Sequence, residues 1–484
     1  MSRLRALARD TAIYGVSTIV GRLLTFFLVP FYTNVLAPGS YGVVATAFSY
    51  IAFFVILYGW GMESAYFKFA STGELGDERA TFGTAQTALL GTSALFSLLL
   101  VALAEPLGVL GGLGEDGATI VRFSAAILFF DNLSLLPFAV LRLARRAKRF
   151  ALLRLLGIVL NVALNVVLLV WLRQGVLGIF IANIASSALV FLLLLPEWRG
   201  RFRFAIDRPV LRAMAAFALP YIPAGAASMV VQVIDRPILL ALMDQATVGV
   251  YQASYRLGIF MMLVVSMFDY AWRPFFLAHA KDPDARELFA RVMTWFVAAG
   301  GFVVVGVSLL VRDLAAIEVF GRRLIHPDYW GGLAIVPVVL LGYLLNGVYV
   351  NLMAGVYIEK RTGVLPWVTG AGALANIVVN LALIPPMGMM GAAVATLVAY
   401  AVMAGGLWLV VRRFYPVAYE WGRLLRVLAA MGVVLGVWVV WPDPPDGGTW
   451  LGIRVGLILA YPLALVLLGV VGRDELAALS RLRR

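Results

Sequence analysis

Charged residues interrupt several long apolar stretches of this sequence. Asp235 and Arg236 stand side by side in VVQVIDRPILLALM, and Arg22 and Arg256 lie in similar surroundings. A charge near the centre of a bilayer costs about 3 kcal/mol or more, so it normally faces a cavity or a partner of opposite charge. Arginine stays protonated and donates two hydrogen bonds at once to an anion. These residues are therefore candidates for binding an anionic ligand, or for ion pairs, inside a membrane protein.

The adjacent pair has two interpretations. Both side chains could face a cavity, in which case Asp235 is also a candidate for gating or ion coupling. Alternatively, the pair lies about seven residues from the outer end of a helix, where Arg236 could extend its guanidinium to the interface. Pro237 could break the helix at this point. Because neighbouring helical residues point about 100° apart, we do not expect Asp235 and Arg236 to form a good ion pair with each other.

The other two arginines lie deeper. Arg22 is about a dozen residues into the first apolar stretch, or roughly 18 Å of helix rise, which is too far for it to reach the interface easily. Arg256 lies about nine residues into its own stretch. Neither has an acidic residue one helical turn away. Both are expected to face a cavity, with an ion pair between the two halves of the protein as the alternative.

Carboxylates in other apolar stretches could gate a cavity or bind a coupling ion. Asp131 lies near the middle of its helix, where it could pair with Arg22 or bind a proton or sodium ion. Glu63 lies nearer the predicted cytoplasmic end of the second helix, where it could neutralise a basic residue or gate the inner side. Asp269 and Arg273 are four residues apart on one helix face and are expected to pair with each other.

The composition shows what kind of protein must position these charges. Of the 484 residues, 62% are hydrophobic and 13% are charged, and the mean hydropathy is +0.93. Soluble domains contain about 25% charged residues, so most of this chain is expected to lie in lipid. The absence of cysteine and the presence of only two histidines argue against a zinc site, another metal site or a catalytic dyad. No G-x-x-x-x-G-K-[ST] loop occurs, so ATP hydrolysis is not expected.

The apolar segments predict an all-α polytopic membrane protein. A spanning helix needs roughly 20 apolar residues, and the sequence contains about 14 such segments. The predicted segments are 11–36, 42–69, 82–104, 118–141, 150–172, 176–196, 212–242, 247–277, 288–311, 331–356, 364–384, 389–411, 424–441 and 450–471.

The basic residues predict the orientation in the membrane. If the N-terminus is cytoplasmic, most Lys and Arg fall in inward loops, and the outward loops hold Arg173, Arg312, Arg322 and Arg323. Arg154, although within the predicted helix 150–172, is assigned to the inward loop before it. This asymmetry places both termini in the cytoplasm. The net charge of +13 is thereby explained as a topology signal, and no nucleic-acid partner is expected.

The two halves of the chain resemble each other. Equivalent residues recur roughly 210 positions apart, namely Asn161 with Asn376, Asn165 with Asn380, and Gly42 with Gly249. Each half thus holds six helices in the same order, which predicts a parallel repeat about an axis along the membrane normal. The Asn pairs are expected mainly to hydrogen-bond neighbouring helices, with a substrate contact as the alternative.

This repeat predicts the domain organisation. The segments are an N-terminal lobe of six helices, a cytoplasmic linker, a C-terminal lobe of six helices, and two extra helices with a cytoplasmic tail. Their predicted ranges are 1–196, 197–211, 212–411 and 412–484.

Three stretches resemble the Wzx-type polysaccharide flippases. They are GRLLTFFLVPFYTNVLAPGSYGVVATAFSYIAFFVILYGWGMESAYFKFA, DRPILLALMDQATVGVYQASYRLGIFMMLVVSMFDYAWRPFF and GVYIEKRTG. The resemblance runs in order over most of the chain. These flippases belong to the multidrug/oligosaccharidyl-lipid/polysaccharide transporter superfamily, which also contains lipid II flippases and MATE drug exporters.

The resemblance implies two pseudo-symmetric six-helix lobes that face a central cavity and rock between inward-open and outward-open states. The first two helices of each lobe line the cavity in that superfamily, so Arg22 and Arg256, with Arg236 as a third, would bind a pyrophosphate. The implied substrate is an undecaprenyl-diphosphate-linked oligosaccharide, moved across the bacterial inner membrane for O-antigen (lipopolysaccharide), capsule or exopolysaccharide synthesis. The resemblance implies a transporter without enzymatic activity or cofactor, which could couple to a proton or sodium gradient. Its partners would be membrane lipids and other polysaccharide-assembly proteins.

Other functions remain open. A MATE-type ion-coupled drug antiporter would favour a cavity richer in carboxylates, whereas arginines at least match carboxylates in these spans. A membrane enzyme of glycan assembly, such as an O-antigen polymerase or ligase, typically has a large outward loop, and the longest one here, 312–330, is short. A non-transporting scaffold or a scramblase is a further alternative.

Overall fold

The chain forms an all-α polytopic membrane protein. The computed structural model describes residues 20–440 and 448–472, except positions 22 and 320. Within these ranges twelve helices are long and apolar enough to cross a membrane, and Leu23–Val35 and Leu451–Leu467 are shorter apolar helices. A helix satisfies every backbone hydrogen bond within its own segment, which the water-free core of a bilayer requires. The prediction of an all-α membrane protein is confirmed.

Helices are labelled in chain order. The first twelve helices are α1 Leu28–Val35, α2 Pro38–Gly59, α3 Met62–Thr72, α4 Glu78–Ala102, α5 Ala104–Leu110, α6 Gly117–Leu143, α7 Ala147–Val166, α8 Gly175–Leu194, α9 Arg208–Ala218, α10 Tyr221–Val233, α11 Asp235–Leu242 and α12 Gln245–Tyr255. The later ones are α13 Ile259–His279, α14 Ala285–Leu309, α15 Val311–Ala316, α16 Val336–Ile358, α17 Leu365–Met387, α18 Met389–Val411, α19 Trp421–Val440 and α20 Gly448–Leu467. One antiparallel ribbon, β1 Glu318–Val319 with β2 Arg322–Arg323, lies between α15 and α16.

Contacts divide the chain into two compact units. The first runs up to Ala253 and includes Ile325–Tyr329 and Ile384–Met389, and the second holds the remaining segments. In the first unit, Met214 and Ala218 of α9 are fully buried in one cluster with Tyr66 and Phe82. The first compact unit therefore extends beyond the linker that separates the predicted lobes, because α9 buries its apolar face against α3 and α4. The lobe ranges remain a prediction about the repeat.

Within the first unit, α6 is the central helix. It packs against α2, α4, α5 and α8, which places most of its length away from lipid. In the second unit, α13 packs on α16, and α19 and α20 pack on α14. There the buried Trp272 donates its indole N–H to the carbonyl oxygen of Asn351 at 3.2 Å, and Tyr461 donates to Ala298 O at 3.0 Å.

The Asn pairs have the same local geometry in both halves. Asn165 Nδ2 donates to the backbone oxygen of Asn161 at 2.8 Å, and Asn380 Nδ2 donates to that of Asn376 at 2.9 Å. Asn161 also donates to Ser186 Oγ on α8 at 3.1 Å. Helix packing is therefore confirmed as a role of the first pair.

The glycine pair forms a reciprocal contact inside the first unit. A methyl group on Gly42 of α2 would overlap the backbone carbonyl of Gln245, and one on Gly249 of α12 would overlap that of Pro38. Pro38 and Gln245 are themselves equivalent in the repeat. Gly42 approaches Gln245 in the same way as Gly249 approaches Pro38, which is the reciprocal pattern that a local two-fold axis produces. The close approach requires glycine at both positions.

Candidate functional site

A polar cavity lies inside the first unit at membrane depth. Its volume is about 640 Å³, and α2, α3, α6, α7, α8 and Tyr221 of α10 contribute to its walls. The polar lining residues are Thr25, Tyr58, Glu63, Ser64, Asp131, Asn132, Ser134, Arg154, Asn161, Asn183, Ser186, Ser187 and Tyr221. Side chains of this type are costly in hydrocarbon, so their convergence on one space marks a candidate substrate pathway.

Two opposite charges lie at different depths of this cavity. Asp131 is twelve residues from the end of α6 at Leu143, or roughly 18 Å of rise. Arg154 is seven residues from the start of α7 at Ala147, or roughly 10 Å from the same side of the bundle. Both side chains are exposed to the cavity, so a ligand could reach either one.

Aromatic rings hold the guanidinium of Arg154. Its central carbon lies 4.5 Å from the ring centroid of Phe138 and 5.8 Å from that of Phe150. Stacking on a ring face stabilises the cation and leaves the N–H groups at the edge available. Among the residues that the structure describes, no hydrogen-bond acceptor is present for these groups. The arginine is therefore fixed in place with its donors unused.

Asp131 interacts with two residues across the cavity. It lies near Ser187, which also lines the cavity, and in the electrostatic field of Arg154. These two described charges do not form a direct ion pair, defined as N···O within 4.0 Å. Arg22, the predicted partner of Asp131, lies outside the described residues.

Glu63 forms an ion pair with Arg142 at the end of α6. The guanidinium of Arg142 also stacks on Phe67, 4.5 Å from its ring centroid. Glu63 had been expected either to neutralise a basic residue or to gate the inner side, and its observed contact is of the first kind. No group of three or more His, Asp or Glu side chains that could hold a metal is found within the described ranges.

The second membrane span is broken where it meets the cavity. The helix stops at Gly59 and resumes at Met62, with Trp60 at φ 30° and Gly61 at φ 77°. Asn132 donates to the carbonyl oxygen of Tyr58 at 3.1 Å, just before the break. Left-handed backbone in a non-glycine residue is strained, so the packing around the cavity must maintain it.

Replacing Gly61 by Ala should destabilise the protein more than the same change at Gly73. Both glycines are left-handed, with φ 77° and φ 69°, but a methyl group on Gly61 would overlap the backbone of Ala218, whereas nothing surrounds Gly73. The backbone term, about 1 kcal/mol, is common to both variants, and the clash adds about 2 kcal/mol. The unfolding midpoint in nanodiscs should fall by roughly 2 °C more for Gly61→Ala. Equal midpoints would mean that α9 does not pack closely on the break.

Asp235 and Arg236 form a buried ion pair, so the expectation that they would not make a good ion pair with each other is wrong. Arg236 Nη1 lies 2.6 Å from Asp235 Oδ1, and the residues are 5% and 2% exposed. Tyr251 donates to the same carboxylate, and Arg236 Nε donates to Gln252 Oε1 at 3.1 Å.

The pair lies at a junction between two helices. α10 ends at Val233 and α11 begins at Asp235, and Pro237 has no N–H to continue the ladder. Arg236 folds back to donate to Gln232 O at 2.7 Å. The side chains are therefore neither at an interface nor open to a cavity in this conformation.

The remaining predicted charges lie in the second unit. Arg256 is half-buried and begins a single 3₁₀ turn, Arg256–Gly258, that interrupts the span. Within the described residues it has no acidic partner within 4.0 Å. Asp269 and Arg273 pair at 2.8 Å, which confirms that prediction.

Sequence reasoning missed Arg154. It was assigned to the inward loop because it follows the basic run that ends at Arg149. Its position inside the predicted helix 150–172 could have revealed it. Arg154 lies seven residues, or two turns, before Asn161, so the two side chains share one helix face. Both residues do line the cavity.

Comparison with known proteins places the chain in a family. The profile described as "Polysaccharide biosynthesis protein" matches residues 33–299, which is more than half of the chain. No curated protein sequence gave a significant match.

Solved structures share the fold. The lipid II flippase MurJ in an inward closed conformation aligns with a TM-score of 0.71 and 15% identity, covering 96% of this chain and 100% of its own. An inward-facing MATE family transporter aligns at 0.63 and 14% identity, covering 83% and 99%. A Vibrio cholerae MATE transporter aligns at 0.60 and 15% identity, covering 85% and 98%. A membrane protein with this fold and this sequence match belongs to the polysaccharide biosynthesis protein family.

Proposed function

We propose that this protein is a flippase that moves an undecaprenyl-diphosphate-linked oligosaccharide to the periplasmic leaflet of the bacterial inner membrane by alternating access. The transported glycan would serve O-antigen, capsule or exopolysaccharide synthesis, and both termini would be cytoplasmic. The observation that carries this proposal is Arg154, whose guanidinium stacks on Phe138 in a polar cavity with its N–H donors unused by described residues.

The chemistry of the substrate explains why such a cavity is needed. A diphosphate and its sugars cannot enter hydrocarbon without losing their hydration. Arginine offers a planar fork that matches phosphate oxygens bidentately, and the amide and hydroxyl groups around it can replace water at the sugar. The volume of about 640 Å³ lies within the range of roughly 300–1,000 Å³ typical of ligand sites. The polyprenyl chain would remain in the lipid.

Other arginines are proposed as separate contacts for the substrate. Arg256 is proposed as a second contact for the diphosphate, since no acidic partner occupies it among the described residues. The role proposed for Arg22 is the same, although Arg22 lies outside the described residues. Arg236 could bind substrate only in a conformation that opens its ion pair with Asp235.

A MATE-type antiporter for cationic drugs is the second candidate. Asp131 favours it, because a carboxylate exposed to a cavity at membrane depth would attract a cation. The presence of Arg154 in the same cavity argues for an anionic ligand instead, because Glu63 is already neutralised by Arg142.

Binding of farnesyl diphosphate to the purified protein in nanodiscs tests the proposal. Replacing Arg154 by Gln removes charge-assisted hydrogen bonds worth about 1.5–3 kcal/mol, so affinity should fall roughly 10- to 100-fold. Arg154→Lys should retain part of the affinity, because it keeps the charge but not the fork.

The matched control is Lys148→Gln, which removes one positive charge from an exposed position on the same helix. Its affinity should stay within about twofold of the unmodified protein. Unchanged binding by Arg154→Gln, or ethidium binding that depends on Asp131, would overturn the flippase proposal in favour of the antiporter. Transport in proteoliposomes with and without a proton or sodium gradient then tests whether the protein couples to an ion gradient, as the family resemblance implies.

A further inference from the structure

The cavity is lined by two oppositely charged side chains, Arg154 and Asp131, which attract each other without forming a direct ion pair among the described residues. Arg154 stacks on Phe138 and Phe150, and Asp131 lies near Ser187, which lines the same cavity. Since the two rings support the guanidinium and no direct ion pair joins these two described residues, Arg154 does not depend on Asp131 for its position. Both remain exposed to the space between the helices.

We propose that Asp131 is a built-in competitor for the substrate diphosphate at Arg154. Without substrate, the carboxylate of Asp131 partly neutralises the charge of the Arg154 guanidinium. A bound diphosphate neutralises the guanidinium instead, and Asp131 repels the diphosphate. This inference rests on the proposed function and deepens it, because it assigns Asp131 to substrate release.

A competitor of this kind is useful to a transporter. A site that binds an anion through an arginine in a low-dielectric cavity would hold it tightly and release it slowly, since such interactions are only weakly screened. Transport requires binding that is strong enough for entry and weak enough for exit. A fixed negative charge near the arginine weakens the bound state, and it spares Arg154 an uncompensated charge when the cavity is empty.

The contacts of Arg154 distinguish a competing role of Asp131 from a role in which Asp131 only positions Arg154. A carboxylate that only held Arg154 in place would contact it directly, and its loss would lower affinity for an anion. Here no direct ion pair joins these two described residues, and the rings of Phe138 and Phe150 hold the guanidinium. Neutralising Asp131 should therefore raise the affinity.

The test compares Asp131→Asn with the unmodified protein in nanodiscs, using farnesyl diphosphate as the probe. We expect about tenfold tighter binding, because a repulsive charge is removed while the arginine stays in place. In proteoliposomes the same variant should transport more slowly at saturating substrate, with a lower KM, because release is slowed. Asp131→Ser is measured in parallel, so that a folding failure of one variant leaves the test in place.

Two further variants sharpen the result. Ser187→Ala removes the hydroxyl near the carboxylate without changing charge, and its affinity should stay within about threefold. The double variant Asp131→Asn with Arg154→Gln should bind as weakly as Arg154→Gln alone, because the competitor acts only at that arginine. Unchanged or weaker binding by both Asp131 variants would overturn this inference. If Arg154→Gln still loses binding in that case, the proposed function survives, whereas unchanged binding by Arg154→Gln overturns the function itself.

Discussion

Replacing Gly42 by Leu should abolish the close approach of α2 and α12. The side chain would overlap the backbone carbonyl of Gln245, and a backbone clash cannot be relieved by a change of rotamer. Overpacking of this kind costs about 3 kcal/mol, which corresponds to a loss of roughly 100-fold in the population of the closed contact. If transport alternates access, glycan export by the variant should fall by a similar factor, because one of its two states is lost.

Cross-linking measures this contact directly. The chain has no cysteine, and Thr46 Oγ1 lies 3.3 Å from Gln245 Oε1, so Thr46→Cys with Gln245→Cys should be joined rapidly by a short thiol-specific reagent. The rate should fall sharply when Gly42→Leu is added. Gly39→Leu is the control, because Gly39 lies about one turn before Gly42 in α2 and no atom lies within 4 Å of the Cβ that it would gain. Equal rates for both leucine variants would show that the helices do not meet at Gly42.

Replacing Asp235 by Ala should cost about 3–5 kcal/mol of stability. The change leaves the guanidinium of Arg236, which is 5% exposed, without its counter-ion, and it removes the acceptor for the Tyr251 hydroxyl. A loss of this size should lower the unfolding midpoint by roughly 4 °C in a chain of this length. Thermal unfolding in nanodiscs, followed by tryptophan fluorescence, measures it.

Two comparisons make this prediction specific. Replacing both charges together, by Asp235→Leu with Arg236→Met, should cost less than Asp235→Ala alone, because no unpaired charge is left buried. Asp269→Ala breaks the i,i+4 pair with Arg273, whose side chain is 52% exposed, and should cost less than about 1 kcal/mol. A loss for Asp235→Ala no larger than that for Asp269→Ala would contradict the buried pair.

The amino-acid sequence by itself determined the helical membrane architecture. Span 389–411 coincides with α18, Met389–Val411, and the other described spans agree to within a few residues, because the length of an apolar segment is a local property set by bilayer thickness. The equivalence of Gly42 with Gly249, and of Asn161 with Asn376, is also written in the residue order. The i,i+4 pairing of Asp269 with Arg273 followed from helix geometry alone.

The tertiary structure alone decided what each intramembrane charge contacts. Arg154 faces a cavity because α7 packs beside α6 and α8, which no loop-charge count can reveal. Asp235 and Arg236 are held together in a buried environment because Tyr251 and Gln252 of α12 hydrogen-bond to them. The break at Trp60–Gly61 persists because Asn132 and Ala218, distant in sequence, hold it. Each outcome depends on contacts between helices far apart in the chain, whereas hydrophobic length and helical spacing specify only what lies within one helix.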